Sequence, residues 1–518
     1  MNKQPRINQK EPATSVLKTI FFGLDRVEKI LLLIGLILLT ARFVYYPSVF
    51  HDEAVRILKI QQSSFWDLIA LPQLGMVHDA RGFLVFVKRF SLFLPAHELS
   101  FRLPVFFCSL LGCLMFLRLS RHFLTPAGRY AAMGLYILCP YLIQYSSQVR
   151  PYACDVLLSV LILLMFFRLS DSDLRSIRAR LGYALGGVLA LVSSLPAFFT
   201  LASGALVLCI QMLLNQEKEK IKRFLFMVLF WAFVWTAYYF RYMHYYTQWA
   251  YLISDWEQNL IPSSGSISDT TLWFLRKMLS MFSNPLGLWP WAGLPLWVIG
   301  IISFFRQNRF KLFLLISPFL MMSIAVWMGT YPLHGRVQAF LLPMHLILIG
   351  QGWQVVFDKI RKAPHSRWLI VLIGCGLFFA PLTGTWHEFE RNHANYGISS
   401  LLDYIKANWQ KGDGIYVLRH YRYDFQFLRQ RYKIASQDFV QGRCGECGDY
   451  FRTEMGSLDK YRRVWFVLGG GHKQWQQRIL KFADQRGVLI DKYRQGWFRT
   501  YLYEWEPLLT PEPSPPRQ

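Results

Sequence analysis

Runs of roughly 17 to 25 mostly apolar residues recur along this chain, and a run of that length is what a helix needs to cross the hydrocarbon core of a bilayer. About eleven are legible, at 30–46, 103–120, 130–145, 153–168, 181–196, 197–214, 224–241, 288–305, 310–328, 337–357 and 367–384. The expected fold class is therefore an α-helical polytopic membrane protein. Composition agrees, since 53% of the 518 residues are hydrophobic and only 17% charged, a balance that disfavours a soluble multidomain enzyme.

The formal charge of +25 raises nucleic acid as a partner until the basic residues are located. With an N-terminus inside and eleven spans, the short cytoplasmic pieces hold 24 Lys and Arg, against 11 spread over the longer outer loops up to Arg336. That asymmetry is the positive-inside pattern of a membrane protein, so most of the charge is topological and no nucleic acid is needed. Residues 1–29 are then a cytoplasmic segment, and the first apolar run, which no small-residue cleavage site follows, is a retained signal anchor.

Two regions lie outside the bilayer in this threading. In the outer loop 47–102, within the membrane domain 30–385, Ala54 to Ser63 and Gly82 to Leu94 have helical period with interspersed charge, as in interfacial helices. From 386 to 506 a small α/β domain is expected. Its helices are at Ser399 to Trp409, Phe425 to Arg431 and Gln474 to Arg486, and its strands at Gly414 to Leu418, Val464 to Leu468 and Thr500 to Trp505. The Pro-rich tail 507–518 reads as disordered.

Ionisable side chains outside the cytoplasmic flanks gather on the outer side: His51, Asp52 and Glu53; His78, Asp79 and Arg81; Arg150 and Asp155; His334 and Arg336. Few carboxylates remain for a relay through the bilayer centre, which argues against an ion-coupled transporter and for a site at the outer leaflet. Asp52 and Glu53 run straight from the first span into a predicted helix, where they could supply a general base or could serve only as an N-cap and a first-turn acid. Arg150, just before Pro151 and Tyr152, could grip a phosphate in bidentate fashion or merely snorkel to the headgroups, and Asp155 could pair with it. Arg336, in Tyr331-Pro332-Leu333-His334-Gly335-Arg336, has the same two readings.

These stretches, in this order and on one side, resemble the GT-C superfamily of polytopic glycosyltransferases, in particular the bacterial relatives of dolichyl-phosphate-mannose protein mannosyltransferases and of aminoarabinose transferases. The resemblance spans roughly 30–440. It rests on the acidic pair Asp52-Glu53 after the first span, on Gln148-Val149-Arg150-Pro151-Tyr152-Ala153-Cys154-Asp155 opening a later one, and on Tyr331 to Arg336 before a late one. Gln148 replaces the family's usual acid, and His78-Asp79-Ala80-Arg81-Gly82-Phe83-Leu84 lacks the usual Pro-Pro. The resemblance implies transfer of a sugar from a polyprenyl-phosphate-linked donor to a lipid, glycan or protein acceptor on the outer face. Asp52 would then be the general base and Glu53 would orient the acceptor or tune it. Arg150 and Arg336, helped by Arg81 or Lys88, would stabilise the departing lipid phosphate. His51, His78, Asp79, Asp155, Tyr152 and His334 are accessory candidates. The competing class is a non-catalytic lipid-linked-glycan carrier or export accessory protein.

No cofactor is required by this reading, although His51 and His78 beside Asp52 or Glu53 leave a divalent metal ion open. Six cysteines fall in or beside spans as packing residues, whereas Cys444 and Cys447, in a loop of the outer domain, are disulfide candidates. Gly469-Gly470-Gly471 is expected to be a flexible turn, lacking the rest of any nucleotide fingerprint.

Overall fold

The computed structural model describes residues 23–45, 49, 51–93, 98–247, 257–262, 266–362, 366–390, 398–442, 453–468 and 473–505. Cys444, Cys447, the triple glycine and the tail fall outside them.

All eleven apolar stretches are helical. The first helix, α1 (Arg26–Val44), begins in a reciprocal cap: the Asp25 side chain accepts from the Glu28 N–H and Glu28 accepts from the Asp25 N–H. Three short helices follow, α2 (His51–Gln62), α3 (Phe65–Ala70) and α4 (Arg81–Ser91), and then α5 (Glu98–Phe123). The single span expected over 130–145 is two helices, α6 (Pro126–Ile137) and α7 (Pro140–Tyr145). Proline has no N–H to donate and disfavours the interior of a helix, but it suits the first turn of a new one, which is where Pro140 sits. The bundle continues with α8 (Tyr152–Asp171), α9 (Ile177–Ser193), α10 (Ala197–Leu214) and α11 (Lys218–Tyr238), which runs through a π turn into α12 (His244–Thr247). It ends with α13 (Ile267–Ser283), α14 (Pro290–Gln307), α15 (Arg309–Trp327), a 3-10 turn at Gly335–Leu341, α16 (Leu342–Ile360) and α17 (Ser366–Glu390).

Among the described residues seven helices are long and apolar enough to cross a membrane by length and composition. The other four apolar stretches make shorter, broken, less apolar or more charged helices; α1, for example, carries Arg26, Glu28, Lys29 and Arg42. Arg42 is buried and donates to the Glu388 carbonyl at 2.7 Å, capping the outer end of α17. Between α14 and α16 the backbones meet closely: a Cβ on Gly300 or Gly352 would run into the Leu348 or Leu296 carbonyl oxygen. Lipid offers no hydrophobic drive between helices, so small residues and polar contacts must hold them. The polar contacts are Gln351 Nε2 to Ser303 Oγ at 2.9 Å and Trp297 Nε1 to His345 Nδ1 at 3.0 Å.

The two amphipathic helices of the outer loop form as expected, and their apolar faces close over the bundle in a cluster that includes Ala54, Ile57, Phe83, Leu84, Val105, Val149 and Leu157. The C-terminal domain consists of α18 (Ser399–Ala407), β1 (Asp413–Val417), α19 (Arg422–Leu428), β2 (Phe439–Gln441), β3 (Arg463–Leu468), α20 (Lys473–Arg486), β4 (Gly487–Gln495) and β5 (Phe498–Trp505). Its sheet order is β2-β1-β3-β5-β4, with β1 parallel to β2 and β3, and β5 antiparallel to β3 and β4. Two strands were not expected. β2 is only three residues long, and β4 is an edge strand whose Val488, Leu489 and Ile490 are all exposed around a bulge, so it lacks the alternation that marks a half-buried strand. The helix expected at 425–431 begins earlier, at Arg422, which brings Tyr423 and Asp424 onto it.

Candidate active site

Asp52 lies in the first turn of α2, where unpaired backbone N–H groups favour an acid. Its Oδ2 receives Arg150 Nη2 at 2.9 Å and lies 3.7 Å from Arg336 Nη1. Arg150 is buried, with its guanidinium over the Tyr145 ring, while the Asp52 side chain is 37% exposed, so the carboxylate faces open space with the cation behind it. One helical turn on, Arg56 donates to the Asp52 carbonyl at 2.7 Å and clamps Asp79 with its other nitrogens. Burial pushes the Asp52 carboxyl up, but Arg150, then Arg56 and Arg336, more than offset it and hold the group below the ordinary carboxylate range. Burial likewise opposes the charged form of Arg150, and Asp52 overcomes it.

Glu53 faces the other way. It is fully buried, takes Arg102 Nη2 and Nε at 3.0 and 3.2 Å, and accepts from the Val149 N–H at 2.6 Å. A carboxylate enclosed in this manner does not reach an acceptor, which corrects the expectation that Glu53 orients one. It instead ties α2 to α5 and to the segment that presents Arg150, fixing the distance between Arg150 and Asp52.

Arg81 and Lys88 also depart from expectation. Arg81 donates to the Pro72 carbonyl at 2.9 Å and lies over the Tyr242 ring, and Lys88 donates to the Ile60 carbonyl at 2.8 Å near the far end of α2. Eight residues of helix, roughly 12 Å, separate Ile60 from Asp52, so Lys88 is engaged at the far end of α2 and is not brought together with Asp52. Arg150 pairs with Asp52 rather than with Asp155, whose carboxyl faces Ser194. Tyr152 meets Tyr145 edge to face, and Tyr145 meets Tyr141; these rings, with Leu39, Cys113 and Val156, line an apolar cleft below Arg150. His334 precedes the 3-10 turn that carries Arg336. His78 sits among Asp79, Arg56 and Arg81, and burial, aided by the two arginines and opposed by Asp79, pushes it down to about 4. His51 turns toward the C-terminal domain, its ring stacked on His420.

Among the described residues no three His, Cys, Asp or Glu side chains converge as metal ligands. With Asp52 committed to arginines and Glu53 to Arg102, His51 and His78 have no shared carboxylate through which to bind a divalent ion, and no chemistry is assigned to one.

Sequence reasoning missed Arg56, Arg102, His420 and Asp424. Arg56 was discoverable as the i+4 neighbour of Asp52 on one helix, and Arg102 as a charge at the mouth of an apolar helix that demands a counter-ion. The two from the C-terminal domain carried no local signal.

No protein family and no curated protein matches this sequence. Solved structures do match its fold. ArnT from Cupriavidus metallidurans bound to undecaprenyl phosphate aligns with a TM-score of 0.53 at 12% identity, over 95% of this chain and 98% of that one. The same protein in the apo state aligns at 0.52 and 12% identity, over 91% and 97%. The archaeal oligosaccharyltransferase AglB from Archaeoglobus fulgidus, in complex with an inhibitory peptide and a dolichol-phosphate, aligns at 0.51 and 11% identity, over 92% of this chain and 74% of that one. Identities this low speak to fold and not to activity. The expectation drawn from the acidic pair, the Arg150 stretch and the Arg336 stretch is met at that level: the chain is an integral membrane protein that shares its fold with these solved glycosyltransferase structures.

Proposed function

We propose that this chain is a membrane glycosyltransferase that moves a sugar from a polyprenyl-phosphate-linked donor to a lipid, glycan or protein acceptor on the extracytoplasmic face. The observation that carries the reading is the convergence of Arg150 and Arg336, from separate stretches of sequence, on the single carboxylate of Asp52, with Arg150 lying over Tyr145, a ring that lines an apolar cleft. A polyprenyl phosphate needs the same parts: apolar walls for its tail, cations at the headgroup plane, and a carboxylate just beyond. The neighbours that bind undecaprenyl phosphate and dolichol-phosphate support this ligand class.

In this mechanism Asp52 is the resting counter-ion of the two arginines. When the donor binds, its phosphate takes over that role, and Asp52, no longer held down by the full field of both cations, becomes the better proton acceptor. Asp52 takes the proton of the acceptor hydroxyl as that oxygen attacks the anomeric carbon. The bond from that carbon to the phosphate oxygen breaks, and Arg150 and Arg336 stabilise the charge left on the lipid phosphate. In-line displacement inverts the anomeric centre. The N-terminus lies in the cytoplasm of a bacterial inner membrane, and the C-terminal domain lies outside.

Mass spectrometry of lipid-linked sugars and envelope glycans in cells with and without the protein tests the activity and identifies the sugar. Identical profiles, together with no release of undecaprenyl phosphate by the purified protein from any undecaprenyl-phosphate sugar supplied, would leave the non-catalytic carrier as the better reading.

A further inference from the structure

His51 and Asp52 are neighbours in the first turn of α2, yet they address different halves of the molecule. Asp52 meets Arg150 and Arg336 of the bundle, whereas His51 meets the C-terminal domain. The His51 imidazole is stacked on His420, with ring centroids 4.9 Å apart at 12°, and tilted against Tyr423 at 5.7 Å. Its Nδ1 is 3.8 Å from Asp424 Oδ2, beyond hydrogen-bond distance and an ion pair when the imidazole is protonated. Asp424 is 2% exposed at its side chain, and burial pushes its carboxyl up to about 6 while His51 pulls it the other way. An acid kept in such a place, on the side of its domain that faces α2, is costly to bury without a partner, and the partner is His51.

The surrounding contacts are those of a fitted joint. Tyr423 and Phe427 pack on the apolar cluster that contains Val49 and Ala54, and Arg431 reaches Glu98 at the start of α5 at 3.3 Å. The first turn of a helix has N–H groups without intrahelical partners and frays unless it is held from outside. Glu53 holds α2 from the bundle side; the C-terminal domain holds it from the other.

We propose that Asp424 and His420 are positioning residues of the transferase site: they grip His51 and so fix the first turn of α2, placing Asp52 between Arg150 and Arg336. The C-terminal domain then completes the site, and loss of its grip loosens a carboxylate it does not touch. This rests on the reading of Asp52, Arg150 and Arg336 as the donor-phosphate machinery.

The test uses the full chain in lipid nanodiscs with undecaprenyl phosphate as the probe. Hydrogen exchange is followed at the amides of residues 55–58, which bond back to the carbonyls of the first turn, and lipid-phosphate affinity is measured on the same samples. Asp424→Ala and His420→Ala should each speed exchange there by about tenfold or more, and each should weaken undecaprenyl phosphate binding by about tenfold, as small misplacements of a site do. His420→Phe, which keeps a ring to stack, should restore both. The double variant His51→Ala/Asp424→Ala should go no further than His51→Ala alone, because removing His51 already removes the contact that Asp424 makes. Protection at β1 and β3 reports that the domain is folded, and His420, whose ring sits near the surface, provides the milder variant if Asp424→Ala loses it. Unchanged exchange and affinity in a folded His420→Ala or Asp424→Ala overturns the proposal, as does a fully additive double variant. If the wild-type chain itself fails to bind undecaprenyl phosphate, the functional reading falls while the exchange result still decides the positioning.

Discussion

Arg150 Nη2 stands 2.9 Å from Asp52 Oδ2, so a buried cation and a carboxylate that is 37% exposed are bound to each other before any ligand arrives. The pair makes each residue a competitor for the other's substrate contact, and this gives the two different mutational signatures. Asp52→Asn removes the proton acceptor while keeping its shape, and should cut turnover by about a hundredfold or more without weakening donor binding. Arg150→Ala should weaken donor binding as well as transfer, with Lys rescuing only in part for want of the bidentate fork. Single-turnover transfer and lipid-phosphate binding on purified protein in lipid separate the two; normal turnover in Asp52→Asn removes Asp52 as the base.

Glu53 and Arg102 form a pair with no solvent contact on either side chain. Deleting one partner leaves the other as an uncompensated buried charge, so Glu53→Ala should cost about 3–5 kcal/mol. The double variant Glu53→Ala/Arg102→Met should recover much of that loss. Thermal unfolding in lipid or mild detergent measures both, and a double variant as unstable as the sum of the singles would count against the pairing.

His78 gives the outer loop a pH dependence of definite sign. Its folded pKa of about 4 lies below the ordinary 6.5, so the folded state keeps it neutral while the unfolded chain binds a proton. Stability from this group is therefore fully present above 6.5 and is lost as pH falls from 6.5 toward 4, by about 2–3 kcal/mol in total after discounting its partial exposure. His78→Gln should flatten that slope in melting curves taken across this window; an unchanged slope means that other groups set it.

Gly352 faces the Leu296 carbonyl of α14 with no room for a Cβ. Gly352→Ala should force α14 and α16 apart and lower the yield of folded protein, with a stability loss of about 1–3 kcal/mol from overpacking. Equal yield and melting temperature for the variant would show that the helices can separate at little cost.

The 24 Lys and Arg of the short loops, against the 11 of the long ones, predict that the long loops and the C-terminal domain lie outside the cytoplasm. A reporter active only outside the cytoplasm should work when fused after Pro381, and one active only in the cytoplasm should be silent there. The reverse result would invert the threading and remove an extracytoplasmic acceptor.

Regularities of short range were legible in the chain alone. Apolar runs became helices at every stretch because a segment in hydrocarbon can satisfy its N–H and C=O groups only within itself. Amphipathic period likewise marked α2 and α4, unbroken apolar runs marked β1 and β3, and alternation marked β5, since each pattern states which faces of an element are covered. The ionisable residues of the site were visible as charges in costly places. Their partners were not. Glu53 meets Arg102, Arg56 meets Asp79, and His51 meets Asp424, each across a gap in sequence that no local period spans. A charge announces that it needs a counter-ion, but many candidates of opposite sign would serve, and only packing selects among them. Tertiary structure therefore decided that Glu53 is enclosed by Arg102 and the Val149 N–H, that Lys88 meets the Ile60 carbonyl at the far end of α2, and that the C-terminal domain reaches the residue beside Asp52.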